Sequence, residues 1–126
     1  MKTILLSIKP EYANKILDGT KKYEYRKRIA RNLTGTLLIY STAPEMKIVA
    51  EVEILNSLSA APSVLWEQTK NDAGISRKKY RSYFHGCKKA YAYELGDVEI
   101  FDPPRNLSEY NVAVPPQSFV YVDTIR

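Results

Sequence analysis

Residues 47–55 read KIVAEVEIL, with Ile48, Ala50, Val52 and Ile54 alternating against a set that contains Glu51 and Glu53. A period of two with charge on one side only is a strand with one dry and one wet face. This is the tightest constraint on the fold, because the same reading recurs along the chain. TILLSI is a run of β-branched and aliphatic residues and reads as a buried strand. KKYEYRK, GTLLIYS and SFVYVD read as further strands, and KKAYAYELGDVEIF as strand pairs broken near Gly96.

Only three stretches break this pattern with a helical one. PEYANKILDG has Pro10 in its first turn, Tyr12, Ile16 and Leu17 at near-helical spacing, and Gly19 as a stop. PSVLWEQTK starts at Pro62. SRKKYRSYFHG sets Tyr80, Tyr83 and Phe84 on one helical face between a Ser76 N-cap and a Gly86 stop. The Pro-rich PPRNLSEYNVAVPPQ reads mostly as loop. Helices and strands do not alternate regularly, which argues against a doubly wound sheet. The order predicts an α+β, mainly β, class: a small mixed or closed sheet with helices outside.

With 126 residues, 44% of them hydrophobic, the chain can bury a core as one domain over 1–126. No apolar run approaches the roughly 18 residues of a membrane helix. The opening MKTILLSIKPEY lacks the long apolar region and cleavage site of a signal peptide. One cysteine, Cys87, excludes an internal disulfide and a multi-cysteine zinc site. The expectation is a cytoplasmic protein with no membrane segment, metal or cofactor.

The formal net charge is +5, and it is concentrated. Lys21, Lys22, Arg26, Lys27, Arg28 and Arg31 stand against the single acid Glu24, and Arg77, Lys78, Lys79, Arg81, Lys88 and Lys89 against none. Two such patches on one face would attract phosphates by counterion release; as separate solvated faces they would only keep the chain soluble.

The usual chemical signatures are missing. There is no phosphate loop and no dinucleotide-binding glycine turn. His85 precedes the Gly86 stop and reads as a capping or packing residue. Cys87 sits among basic residues and reads as a small buried side chain. In GTKKYEYR, Glu24 and Arg26 lie two apart and share a strand face. There they are either an ion pair on an edge strand or the edge of a polar binding site. Strict alternation puts Lys21 on the opposite face, so it joins Glu24 only if the strand starts late or bulges near Lys22.

Gly19, Lys21, Glu24 and Arg26 match the G-x-K-x-x-E-x-R signature of the ASCH domain, and the chain resembles that family nearly end to end. ILLSIKPEYANKILDG resembles its opening strand and helix, LLIYSTAP and IVAEVEI its next two strands, LWEQTKNDAGISRKKYRSYFHG a helical insertion of a prokaryotic subgroup, and PPQSFVYV its closing strand. The resemblance implies a PUA-like β-barrel with flanking helices and a cleft at the signature. It also implies binding of RNA or of a modified nucleobase, with a regulatory role in translation or transcription. Some small members deacylate N(4)-acetylcytidine with a lysine and a threonine of the signature strand and a more distant glutamate. Lys21 matches that lysine and Glu67 the distant glutamate, but the threonine position holds Glu24.

Two mechanisms follow. In an RNA-binding module, Lys9, Lys21, Glu24, Arg26, Tyr40, Ser41, Lys78, Lys79, Gln117 and Ser118 form the binding set. Tyrosines 23, 25 or 40 would stack on a base, Glu24 would accept from a base edge, and lysines would hold phosphates. In an amidohydrolase, a partly desolvated Lys21 would act as base, and Glu24 or Glu67 would activate water. A third reading is an interaction domain with a filled cleft, in which the Glu24–Arg26 pair is structural. The sequence names no protein partner.

Overall fold

The computed structural model describes residues 2–30 and 35–123. Strand β1 (Lys2–Ile8) leads into α1 (Pro10–Leu17), then β2 (Tyr23–Arg26), β3 (Thr36–Ser41) and β4 (Lys47–Ala60). Two helices follow, α2 (Pro62–Thr69) and α3 (Arg77–Tyr83), joined through a 3-10 turn at Lys70–Asp72. The chain returns through β5 (Ala90–Arg105), a 3-10 turn at Leu107–Tyr110, and β6 (Phe119–Asp123). Pro starts α1 and α2, and Ser76 caps α3 by accepting the Lys79 N–H at 3.1 Å. Among the described residues, no helix is long and apolar enough to cross a membrane.

The six strands form one mixed sheet in the order β2-β5-β4-β3-β1-β6. β1 runs parallel to β3, and the other pairs are antiparallel. Among the described residues the ladders leave β2 and β6 as end strands, so hydrogen-bonded pairing there does not close the barrel expected from the sequence. The sheet curls nonetheless. Ile4 and Leu6 of β1 and Tyr93 and Leu95 of β5 share one buried cluster with Ala13 and Ile16 of α1. The opposite face of β1 presents Leu5 to a second cluster with Leu38, Tyr40, Ile48, Phe101, Tyr110 and Val122. Burial on both faces accounts for the unbroken apolar run of β1. A third cluster packs α2 and α3 against β2 and the start of β5 through Tyr25, Leu65, Tyr80, Phe84, Ala90 and Ala92.

Two expectations from the sequence are corrected. β5 does not break at Gly96; it runs on through Pro103 and Pro104 to Arg105, so the Pro-rich segment begins as strand. The ladder with β4 instead shifts register around Ile54. A Cβ on Gly96 would lie 2.4 Å from a Glu53 carboxylate oxygen and 2.9 Å from a Leu55 methyl. The glycine marks a bulge in a bent strand rather than a turn. The same bend lets one long antiparallel strand pair serve two clusters, with Ala50 and Val52 in the first and Leu58 and Ala60 against the third.

Tyr93 ties the core to the segment that follows β2: its hydroxyl accepts the buried Ala30 N–H at 3.0 Å. Tyr93→Phe strands that donor without water, so urea unfolding is expected to show a loss of about 1–3 kcal/mol. An unchanged midpoint would mean that the amide finds another acceptor.

Candidate functional site

The segment before β2 is not strand. The Lys21 N–H donates to the Lys15 carbonyl, the Lys22 N–H donates to the Asp72 carbonyl, and the Lys22 carbonyl accepts from Leu95, each at 2.9 Å. These bonds pin residues 21–22 between the end of α1, the turn after α2, and β5. Alternation therefore starts only at Tyr23. Lys21, Glu24 and Arg26 line one cavity of about 770 Å3, the arrangement that required a late strand start.

Lys21 is almost fully buried, at 3% exposure. Its Nζ donates to the Ala73 carbonyl at 2.7 Å and lies 4.8 Å from the Tyr25 ring centre and 5.5 Å from that of Tyr12. An ammonium has three donors, so two remain beyond the Ala73 bond. Burial lowers its pKa from 10.5 to about 8, against an upward pull from the Glu24 carboxylate. Gly74 makes this placement possible. Its φ is +65°, and a Cβ there would stand 2.3 Å from the Lys21 Cβ.

Glu24 and Arg26 form the second half of the floor. Arg26 Nε donates to Glu24 Oε2 at 3.0 Å, Nη2 lies 2.9 Å from the same oxygen, and Nη2 also donates to the Ser7 carbonyl at 2.8 Å. Both side chains are mostly buried. The guanidinium thus spans from end strand β2 to the end of β1, across a seam that no ladder closes among the described residues. Between them Tyr25 points toward α2, its hydroxyl 2.6 Å from that of Thr69. Burial raises the Tyr25 phenol well above its ordinary range.

The rim is basic. Lys9 enters from the start of α1, and Lys78 and Lys79 from α3. An exposed Lys79–Glu11 ion pair at 3.4 Å links α3 to α1 at the edge. Ile8, Tyr12, Ile75 and Tyr83 supply the apolar wall. The two basic stretches of the sequence meet here, Lys21 and Arg26 from one, Lys78 and Lys79 from the other; Arg31 lies outside the described residues. Among the described residues, no group of His, Cys, Asp and Glu could hold a metal ion.

The other residues singled out from the sequence do not line this cavity. Tyr40 and Ser41 are buried in the sheet, Tyr40 within the Leu5 cluster. Gln117 and Ser118 are exposed before β6. Glu67 points to solvent from α2, paired with Lys70 at 2.7 Å, and faces a different groove. It cannot share chemistry with Lys21 in this arrangement. Conversely, Ser7, Tyr12, Ser82 and Tyr83 line the cleft without having been singled out there. Tyr12 and Tyr83 carried a helical-face signal, which does not distinguish a core from a cleft wall.

The chain matches the ASCH domain family model over residues 6–104. It is 30% identical over 125 residues to an ASCH domain-containing ribonuclease of Zymomonas mobilis, covering 96% of this chain and 84% of that one. The crystal structure of ASCH from Zymomonas mobilis has a TM-score of 0.88 at 30% identity, over 96% of this chain and 87% of that chain. A mutant of ZmASCH gives 0.89 at 29% identity, over 98% and 91%. A second relative is the large ribosomal subunit protein uL22 of Ureaplasma parvum, 31% identical over 121 residues. That match takes in 95% of this chain but spans only 39% of the ribosomal protein.

Gly74→Ala is expected to cost about 2–4 kcal/mol, from the left-handed backbone and the overlap with Lys21. Chemical denaturation measures it, and a loss below 1 kcal/mol on the order of thermal scatter would mean that Lys21 moves aside freely. The buried amine also predicts a pH dependence. Folded Lys21 releases its proton near 8, whereas the unfolded residue keeps it to about 10.5. Between those values the unfolded chain holds more protons, so this group makes stability rise with pH. From pH 8 to about 9.5, wild type should gain about 1–2 kcal/mol relative to Lys21→Met; parallel profiles for the two proteins would contradict the assignment.

Proposed function

The chain belongs to the ASCH domain family, and from that premise we propose that it binds RNA, drawing one base into the Lys21–Glu24–Arg26 cleft. The observation that carries the reading is the make-up of that cleft: a polar floor of fixed donors and acceptors inside a basic rim. The relative named as a ribonuclease supports a role on RNA.

Each part has a task in this reading. Glu24, held by Arg26, accepts from the amino or ring N–H edge of a base, while Lys21 donates to a base carbonyl. Tyr12 and Tyr83 give the base an apolar wall, worth about 1–3 kcal/mol per stacked base. Lys9, Lys78 and Lys79 hold phosphates. A cavity of about 770 Å3 is in the usual range for small ligands and leaves room for a base that carries a substituent. A cytoplasmic reader of modified RNA, regulating translation or transcription, is the role this arrangement fits.

A second reading is hydrolysis, and one observation favours it. An amine with a pKa of about 8 can exchange a proton near neutral pH. With Glu67 elsewhere and no threonine at its position, Glu24 would have to activate the water that attacks an acylated base such as N(4)-acetylcytidine. Incubation with N(4)-acetylcytidine, followed by chromatography, should yield cytidine and acetate if this reaction occurs; intact substrate in all fractions removes the reading.

Binding is tested by fluorescence anisotropy with labelled single-stranded RNA at two salt concentrations. Reversing Lys78 and Lys79 to Glu should weaken all sequences alike and lower the salt slope by about 1.4, two phosphates' worth. Glu24→Gln should change base preference while leaving the slope in place. Because RNA favours the charged amine, affinity should fall as pH rises through about 8 in wild type and not in Lys21→Met. No wild-type binding at physiological salt, or a Glu24→Gln protein with wild-type preference, would sink the proposal.

A further inference from the structure

The cleft leaves half of α3 unused. Lys78, Lys79, Ser82 and Tyr83 face it. Arg77, Tyr80, Arg81 and Phe84, at i, i+3, i+4 and i+7, face the other way. They line a separate groove of about 500 Å3 against α2, with Trp66 opposite. The sequence feature left over is the same one: residues 77–89 carry no acid, and the cleft accounts for only two of their cations.

We propose that this groove is a second nucleotide subsite, in which Trp66 stacks a base and Arg77 and Arg81 hold the adjoining phosphates of the RNA strand that enters the cleft. The inference rests on the RNA reading of the cleft. Trp66 is partly buried against the third cluster, and its ring is already fixed by Tyr80, with centroids 4.8 Å apart. A base stacking on it immobilises no free side chain. Arg77 and Arg81 are exposed, one turn apart. The one acid in the groove, Glu67, is paired with Lys70. Only α3 separates groove and cleft, about 10 Å of helix, and it is basic on both faces. A strand crossing it meets cations throughout, which is the pattern of a single-strand track. The same surface would suit a protein less, since two arginines with one nearby acid, Glu67, must be desolvated there.

Trp66 is the only tryptophan in the chain, so its fluorescence reports on this groove directly. Wild type is titrated with a mononucleotide, which is too short to reach the groove from the cleft, and with a single-stranded RNA of about eight nucleotides. The oligonucleotide should quench Trp66 and the mononucleotide should not. By anisotropy, Trp66→Ala should weaken the oligonucleotide about ten-fold and Trp66→Phe much less. Arg81→Glu, at an exposed position that leaves the fold alone, should weaken it and lower the salt slope. Mononucleotide affinity should stay at the wild-type value in all three. If the oligonucleotide binds with Trp66 emission and Arg81→Glu affinity unchanged, the groove proposal is overturned and the cleft reading stands. If Trp66 is quenched but Glu24→Gln alters no base preference, the groove holds RNA and the cleft reading fails. If wild type binds neither ligand, both fall.

Discussion

The buried ammonium of Lys21 is the interaction on which the site depends. Lowering its pKa from 10.5 to about 8 corresponds to about 3 kcal/mol against the charged form. That figure is what remains after the nearby Glu24 carboxylate has offset part of the burial, and the amine is held in place by one short hydrogen bond to Ala73 and two tyrosine ring faces. These groups come from three different parts of the chain. α1 supplies Tyr12, the turn after α2 supplies Ala73 and Gly74, and β2 supplies Tyr25 and Glu24. A lysine placed this way ties three elements to one point, and it sets an amine of near-neutral pKa inside a cleft.

Arg26 does the corresponding work on the other side. Its guanidinium holds the Glu24 carboxylate with Nε and Nη2, and the same Nη2 reaches the Ser7 carbonyl. A planar, permanently charged group with several donors can make all of these contacts at once, and a lysine could not. The ion pair is therefore structural, and it also lines the cleft. It fixes the floor of the cleft and bridges the seam that the strand ladders of the described residues leave open.

Much of this was legible in the residues. The alternation of β4, the two-faced apolar run of β1, the proline starts of α1 and α2 and the Ser76 cap all follow from local rules, which need only neighbours within a few residues. Glu24 and Arg26 share a face for the same reason. Gly96 was misleading because a glycine that starts a turn and a glycine that admits a bulge look alike in sequence. Tyr40 looked like a stacking residue and is core, and Glu67 looked like part of the site and faces solvent. Aromatic and acidic residues carry no local sign of which side of a helix or sheet the rest of the chain will cover.

The sequence by itself determined most of the elements and their order, the placement of charge in two stretches, and the shared strand face of Glu24 and Arg26. Only the tertiary structure decided that Lys21 joins them, because that depends on bonds from Lys15, Asp72 and Leu95 and on a glycine more than fifty positions away, roughly two-fifths of the chain. It also decided that the two basic stretches meet across one cleft, and that α3 turns its remaining arginines toward Trp66. Periodicity fixes what a segment is. Which surfaces come to face each other is set by contacts between segments distant in the chain, and these leave no local pattern to read.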